Sequence, residues 1–254
     1  IKEFNLCMEN QKSKSRKSNK FKTVSETNSK WIEVSKGNNS KFIGYEEFKS
    51  KSKIRKVRLT DSNVEIILDI TPFYAEAGGQ IGDIGILKVN DKSIFEVIDV
   101  QKNGKEIIHF CKNKNDSSQI EWSDLDIEAE IDKDRRYSIR LNHTSTHLLH
   151  ASLKKIVGDH VQQAGSLVSN EKLRFDLTHY EKIGSKQIKQ IEDNINKVIR
   201  DNISLSTTVE DFELAKKNGA LALFGEKYDE EVRVVSVPGF SKELCGRTHV
   251  KNTG

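Results

Sequence analysis

DIEAEIDKDRRYSIRLNHTSTHLLHASLKKIVG, residues 126–158, changes its period in the middle. Up to Ile131 the apolar residues alternate (Ile127, Ala129, Ile131), which is the two-residue repeat of a half-buried strand. Beyond Asp132 the alternation stops, and Leu148, Leu149, Leu153, Ile156 and Val157 recur at helical spacing before Gly158. The spacing predicts a helix over residues 138–157, with Gly158 as its stop. The chain is therefore expected to be α+β, with a block of strands ahead of this point and helices mixed with strands after it.

Working upstream, the runs IRKVRL, VEIILDI, IGILKV, IFEVIDV, EIIHF and IEAEI fill residues 54–131 between Gly, Asn, Asp and Lys turns such as Asn90-Asp91 and Asn103-Gly104. Short strands at this density make a small antiparallel barrel or sandwich. Downstream, LRFDLTHY (173–180), ISLSTTV (203–209) and EVRVVSV (231–237) read as strands. Ile188, Ile191, Ile195 and Val198 mark a helix near 185–200, and residues 211–217 a shorter one before Gly219. Helices covering an antiparallel sheet are the expected second half. Residues 1–40, rich in Lys, Ser and Asn, read as a frayed helix running into a linker. No repeat of fixed period is present.

The 254 residues are enough for one large domain or two modest ones. Three widely spaced cysteines, Cys7, Cys111 and Cys245, argue against a disulfide framework and for a reducing compartment, by default the cytoplasm. No run of about 18 apolar residues marks a membrane span. The formal charge is +4, yet QKSKSRKSNKFK (11–22) alone holds six basic and no acidic residues, so the remainder is near −2. Such a segment suits a phosphate-rich partner, or is a solvated linker. The chain opens on Ile1 and ends at Gly254, and we expect it to be a piece of a longer protein.

Three of the seven histidines fall in LNHTSTHLLH (141–150). His143 and His147 are four apart on the expected helix, so both imidazoles leave one face about a turn apart. A hundred residues later, ELCGRTHV places Cys245 and His249 again four apart. Three imidazoles and a thiolate suit tetrahedral zinc, whereas magnesium and calcium prefer oxygen donors. A peptidase of the HExxH type needs a glutamate beside the first histidine, and Thr144 stands there instead. His150 reads as a supporting or packing residue, and His109, His160 and His179 as structural. A second cluster, TPFYAEAGGQIGDIG (71–85), carries four glycines and Gln80. It is either a tight turn in the barrel or a loop reaching over the metal with Gln80 as a polar contact.

TPFYAEAGGQIGDIG, LNHTSTHLLHASLKKIVGDHVQQAGSLVSNEKLRFDLTHYE, ALFGEKYDEEVRVVSV and LCGRTHVKNTG, together spanning about residues 54–254 in order, resemble the editing domain of alanyl-tRNA synthetases. MENQKSKSRKSNK is similar to the helix and linker that precede that domain in the family. The resemblance implies a β-barrel at 41–135, a zinc-binding α+β unit at 136–254 truncated at its C-terminal end, and a helical tail and basic linker at 1–40 from the tRNA-recognition region. It implies one zinc ion on His143, His147, Cys245 and His249, in a site that removes serine or glycine from mischarged alanine tRNA. Gln163 matches a position lining the editing pocket and Gln80 the glutamine closing the Gly-rich loop; with Thr71, which opens that loop, they are the candidate catalytic residues.

The parent protein would ligate alanine to tRNA(Ala) with ATP and magnesium, but no activation motif lies in these residues. One departure stands out: the family usually has CGGTH, and here Arg247 replaces the second glycine. Arginine is costly there if the backbone needs positive φ; otherwise it brings a cation near the tRNA's phosphates. Neither motif shows an obvious carboxylate base, so the base is left unassigned. Two other readings are a free-standing trans-editing deacylase and an RNA-binding module with structural zinc.

Overall fold

The computed structural model describes residues 30–254 apart from 38–39, 61–62, 90–92, 114–120, 123–124 and 223–227. The expected helical tail, most of the basic linker and Cys7 lie outside the described residues. The first half is built from β1 (Ile32–Glu33), β2 (Lys41–Phe42), β3 (Lys49–Leu59), β4 (Asn63–Leu68), β5 (Ile70–Thr71), β6 (Gly85–Val89), β7 (Ser93–Asn103), β8 (Glu106–Asn113) and β9 (Asp126–Ile131).

Six of these strands close an antiparallel barrel in the order β3-β4-β8-β7-β6-β9, with β9 returning to β3. Closure depends on β3 serving two neighbours. Its first part, Lys49–Lys53, pairs with β9, and Ile54–Leu59 pairs with β4 after a register shift between Ile54 and Lys56. A second shift between Val97 and Asp99 bends β7. An extra residue on one strand increases local twist, which lets long strands turn the corners of a small barrel. Inward-facing residues of every wall, among them Val57, Ile66, Leu68, Phe73, Leu87, Phe95, Val100 and Ala129, fill the interior. β1 adds to β3 through Ile32 opposite Val57, so part of the expected linker is an outer strand of the barrel wall.

The second half contains α1 (Lys133–Ile156), β10 (Gln162–Val168), β11 (Leu173–Thr178), α2 (Ser185–Arg200), β12 (Ser206–Asp211), α3 (Phe212–Lys217), β13 (Glu231–Val237) and β14 (Ser241–Leu244). Its strands form two antiparallel sheets, β10-β11 and β12-β13-β14, where the sequence suggested one; α2 lies between them in the chain and packs on α1. Leu148 of α1 meets Val198 and Val237, while Leu153 meets Val161 and Ile191.

α1 begins five residues earlier than its apolar spacing predicts. Asp132 caps it, accepting from the Arg135 amide at 2.9 Å. That early turn joins the two halves. Arg136 is fully buried and donates to Asp83, to the Gly44 carbonyl at 2.5 Å and to the Pro72 carbonyl at 3.0 Å. Arg135 reaches the Gly82 carbonyl at 2.8 Å and Arg140 the Tyr45 carbonyl at 2.7 Å. Guanidinium groups thus satisfy the backbone carbonyls of barrel loops and fix α1 against the Gly-rich segment.

Candidate metal centre

Two turns of α1 and the segment after β14 bring His143, His147, Cys245 and His249 together, with all four donor atoms within 4.8 Å of one another and all four side chains buried. Cys245 Sγ lies 3.3 Å from His249 Nε2 and 3.7 Å from His143 Nε2. A tetrahedral ion with metal–nitrogen and metal–sulfur bonds of about 2.0–2.3 Å spaces its donors by about 3.3–3.8 Å. The donor set and these separations fit such an ion.

Neighbours orient the donors. His143 Nδ1 donates to the Thr248 carbonyl at 3.0 Å, which leaves its Nε2 lone pair facing Cys245. His249 Nδ1 faces Thr144 Oγ1 at 3.1 Å, and that oxygen also accepts from the Val250 amide at 3.3 Å. Thr144, where a peptidase would carry its base, instead holds a ring. Burial, reinforced by the charge of Arg247, pushes His143 down to about 3, so the ring is neutral at neutral pH. His249 is held well below the ordinary histidine range by burial and by the neighbouring His143 and His147. Burial opposes ionisation of Cys245, but its hydrogen bond to His147, with the charges of His147 and Arg247, outweighs this and lowers the thiol. Neutral His143 and His249 and an easily formed thiolate are protonation states that ligation requires.

Gln80 is fully buried at the end of the Gly-rich segment, donating to Thr248 Oγ1 at 3.0 Å and accepting from the Thr248 amide at 3.3 Å. It touches the metal centre through Thr248, whose carbonyl holds His143. Gly79 accepts from the Val168 amide at 2.7 Å, and a side chain there would collide with Ser166, so the barrel loop packs on β10. Gln163 stands at the β10 irregularity and donates to Ser166 Oγ at 3.1 Å. Thr71 lies apart from the cluster: its hydroxyl, in the barrel interior, meets His109 Nε2 at 2.8 Å and accepts from the Phe73 amide at 3.1 Å.

Arg247 has an ordinary negative φ, since Asn202 is the non-glycine residue with positive φ among those described, so the family's missing glycine imposes no backbone strain. Its guanidinium folds over Gly78, near the Ala77 carbonyl at 3.4 Å and Cys245 Sγ at 3.9 Å. Arg233 donates to the carbonyls of Cys245 and Arg247, both at 2.9 Å, and stacks on Tyr45. Cys245, Arg247, Gly78, Tyr74, Tyr228 and Arg233 are among the residues lining a cleft of about 440 Å³.

The sequence reading passed over one residue. Glu243, 3% exposed, has Oε2 3.7 Å from His147 Nε2 and Oε1 3.5 Å from His150 Nδ1. Glu243 lies on β14, two residues before Cys245, which follows the strand. Burial works against the carboxylate, but His147 and then His150 outweigh it and keep Glu243 below the usual range.

Comparison with known proteins places these observations. A family model described as tRNA synthetases class II (A) matches residues 1–135, and one described as the threonyl and alanyl tRNA synthetase second additional domain matches residues 232–254. An alanine–tRNA ligase of Legionella pneumophila (strain Corby) is 45% identical over 99% of this chain, which covers 29% of the ligase. Those of Idiomarina loihiensis and Chlorobaculum tepidum are 45% and 38% identical over 85% and 99% of the chain, covering 26% and 30% of the ligases. The chain thus spans less than a third of the length of these relatives. With a family model over more than half its residues and this identity along its length, the chain belongs to the class II alanyl-tRNA synthetase family.

Proposed function

We propose that the chain is the editing portion of an alanyl-tRNA synthetase, with a barrel at 41–135 and a zinc-binding unit at 136–254, and that it hydrolyses seryl- or glycyl-tRNA(Ala). The observation that carries this reading is the buried His143, His147, Cys245 and His249 cluster at the edge of an open cleft, in a chain of this family. Zinc, when bound there, supplies a positive charge that polarises the ester carbonyl or fixes the substrate's amino group.

The residues around it prepare and select. The cleft is lined by the cations Lys102, Arg233 and Arg247 together with Tyr228, Asp229 and Glu231, and its cations are the groups to meet the phosphates of a nucleotide end. Gln80 acts through Thr248 to keep His143 in place, and Gln163 bonds Ser166 on β10, where the Gly79 loop packs. Thr71 bonds His109 in the barrel interior, apart from the cluster, and no direct part in the chemistry is proposed for it. Selection favours serine over alanine because groups that wait to bond a hydroxyl are left unpaired when the smaller correct residue enters. In a protein of the relatives' length, charging of tRNA(Ala) with ATP and magnesium falls to residues beyond these 254, and the whole acts in the cytoplasm. No helix among the described residues is long and apolar enough to cross a membrane.

A second reading, an RNA-binding module whose metal is structural, is favoured by the burial of all four donors. The Cys245→Ala protein separates the two. If it remains folded and binds tRNA but no longer releases serine, the metal belongs to the chemistry. If folding and tRNA binding collapse together, the metal is structural and the proposal fails.

A further inference from the structure

Glu243 is a buried carboxylate whose ion-pair partners, among the described residues, are both imidazoles. It sits on β14 opposite Val235, with Leu221 bridging from the other side, so its backbone is fixed on both edges. The Glu243 carboxylate is turned towards α1, where His147 and His150 stand one turn apart. One carboxylate oxygen faces each ring, at 3.7 Å and 3.5 Å. His150 in turn packs against Phe175 of β11, with ring centroids 5.4 Å apart. A chain of contacts therefore runs from Phe175 through His150 and Glu243 to His147.

We infer that Glu243 is a positioning residue for the metal centre: its carboxylate, held between His147 and His150, fixes the orientation of the His147 ring. The inference rests on the proposed metal-binding reading. Its physical ground is that a buried carboxylate beside a ligating imidazole holds the ring in place, and that the groups orienting a metal's ligands tune its affinity. Glu243 does not border the cleft, so it is placed to act on the ligand and not on a substrate.

The test is zinc affinity of the whole chain, measured by competition with a chromophoric chelator, in the native protein, Glu243→Gln and His150→Gln. Gln keeps the volume of Glu243 and removes its charge. We expect affinity to fall about 10- to 100-fold in E243Q and by a smaller factor in H150Q, where the carboxylate still meets His147. The cobalt(II)-loaded E243Q protein should keep the four-coordinate visible bands and the thiolate charge-transfer band of the native site. Affinity unchanged within twofold in E243Q overturns the inference, and loss of the four-coordinate bands overturns it in favour of direct ligation. If E243Q does not fold, H150Q decides, and unchanged affinity there overturns it. Native protein that binds no zinc overturns the metal reading itself, a result distinct from either.

Discussion

His109 makes the barrel sensitive to acid in a way that can be calculated. The ring is fully buried, with Nδ1 donating to the Ile66 carbonyl at 2.9 Å and Nε2 accepting from Thr71 at 2.8 Å. Both nitrogens are engaged in the neutral form, and Phe73 covers the ring edge-on at 5.3 Å. Burial lowers the folded-state value from 6.5 to about 4, against a weaker opposing effect of the Ile66 carbonyl. Because the unfolded chain takes up the proton first, the stability is fully present above pH 6.5 and is lost as pH falls towards 4. At about 1.4 kcal/mol per tenfold change in proton affinity, the full difference is about 3 kcal/mol, most of which has gone by pH 4.5. Urea unfolding of the native protein and of His109→Gln, at steps from pH 7.5 to 4.5, reads this directly. Other titrating groups, the metal ligands included, contribute equally to both proteins and cancel. The gap between the two stabilities should narrow or invert by about 2–3 kcal/mol across the range. Parallel profiles would refute the argument and with it the assignment of Thr71 and His109 to one neutral hydrogen-bonded pair.

Other perturbations address the joint and the site. Arg136→Met leaves Asp83 buried without its charge partner and should lower stability by about 3–5 kcal/mol in denaturant unfolding; a loss under 1 kcal/mol would show that the α1–barrel clamp is not energetically significant. Thr144→Val removes the oxygen facing His249 and should weaken zinc binding about 10-fold with little change in fold, as read by chelator competition. Gly78→Ala places a methyl group where Arg247 lies and asks alanine to adopt φ +53°, costing about 1–2 kcal/mol. In an Arg247→Gly background the collision vanishes and the backbone cost remains, so the difference between backgrounds measures the guanidinium contact alone.

How far the sequence discloses this molecule depends on the kind of residue involved. The six barrel strands are readable because Ile, Val and Phe alternate along them, and α2 because Ile188, Ile191, Ile195 and Val198 keep one stripe. The first turn of α1 is hidden: KDRRY has no apolar period, and the buried residue there, Arg136, belongs to a type normally exposed. β10 and β14, QQAGSLV and SKEL, escape notice because their strands are defined by pairing with β11 and β13 and not by apolar alternation. The pairing of HxxxH with CxxxH is legible as chemistry, since few residue types donate to soft metals. Glu243 is not, because a glutamate before CGRTH looks like a solvated charge until the strand turns it towards His147 and His150. Arg247 is the opposite case: sequence comparison with the family's CGGTH raised a backbone question, and its ordinary φ answers it.

The most direct test of the account is deacylation of seryl-tRNA(Ala) and alanyl-tRNA(Ala) by the isolated chain, with zinc bound and after its removal by a chelator. The account predicts fast release of serine, slow release of alanine, loss of serine release on chelation and its return when zinc is restored. Equal rates on the two substrates, or serine release indifferent to zinc removal, would contradict it.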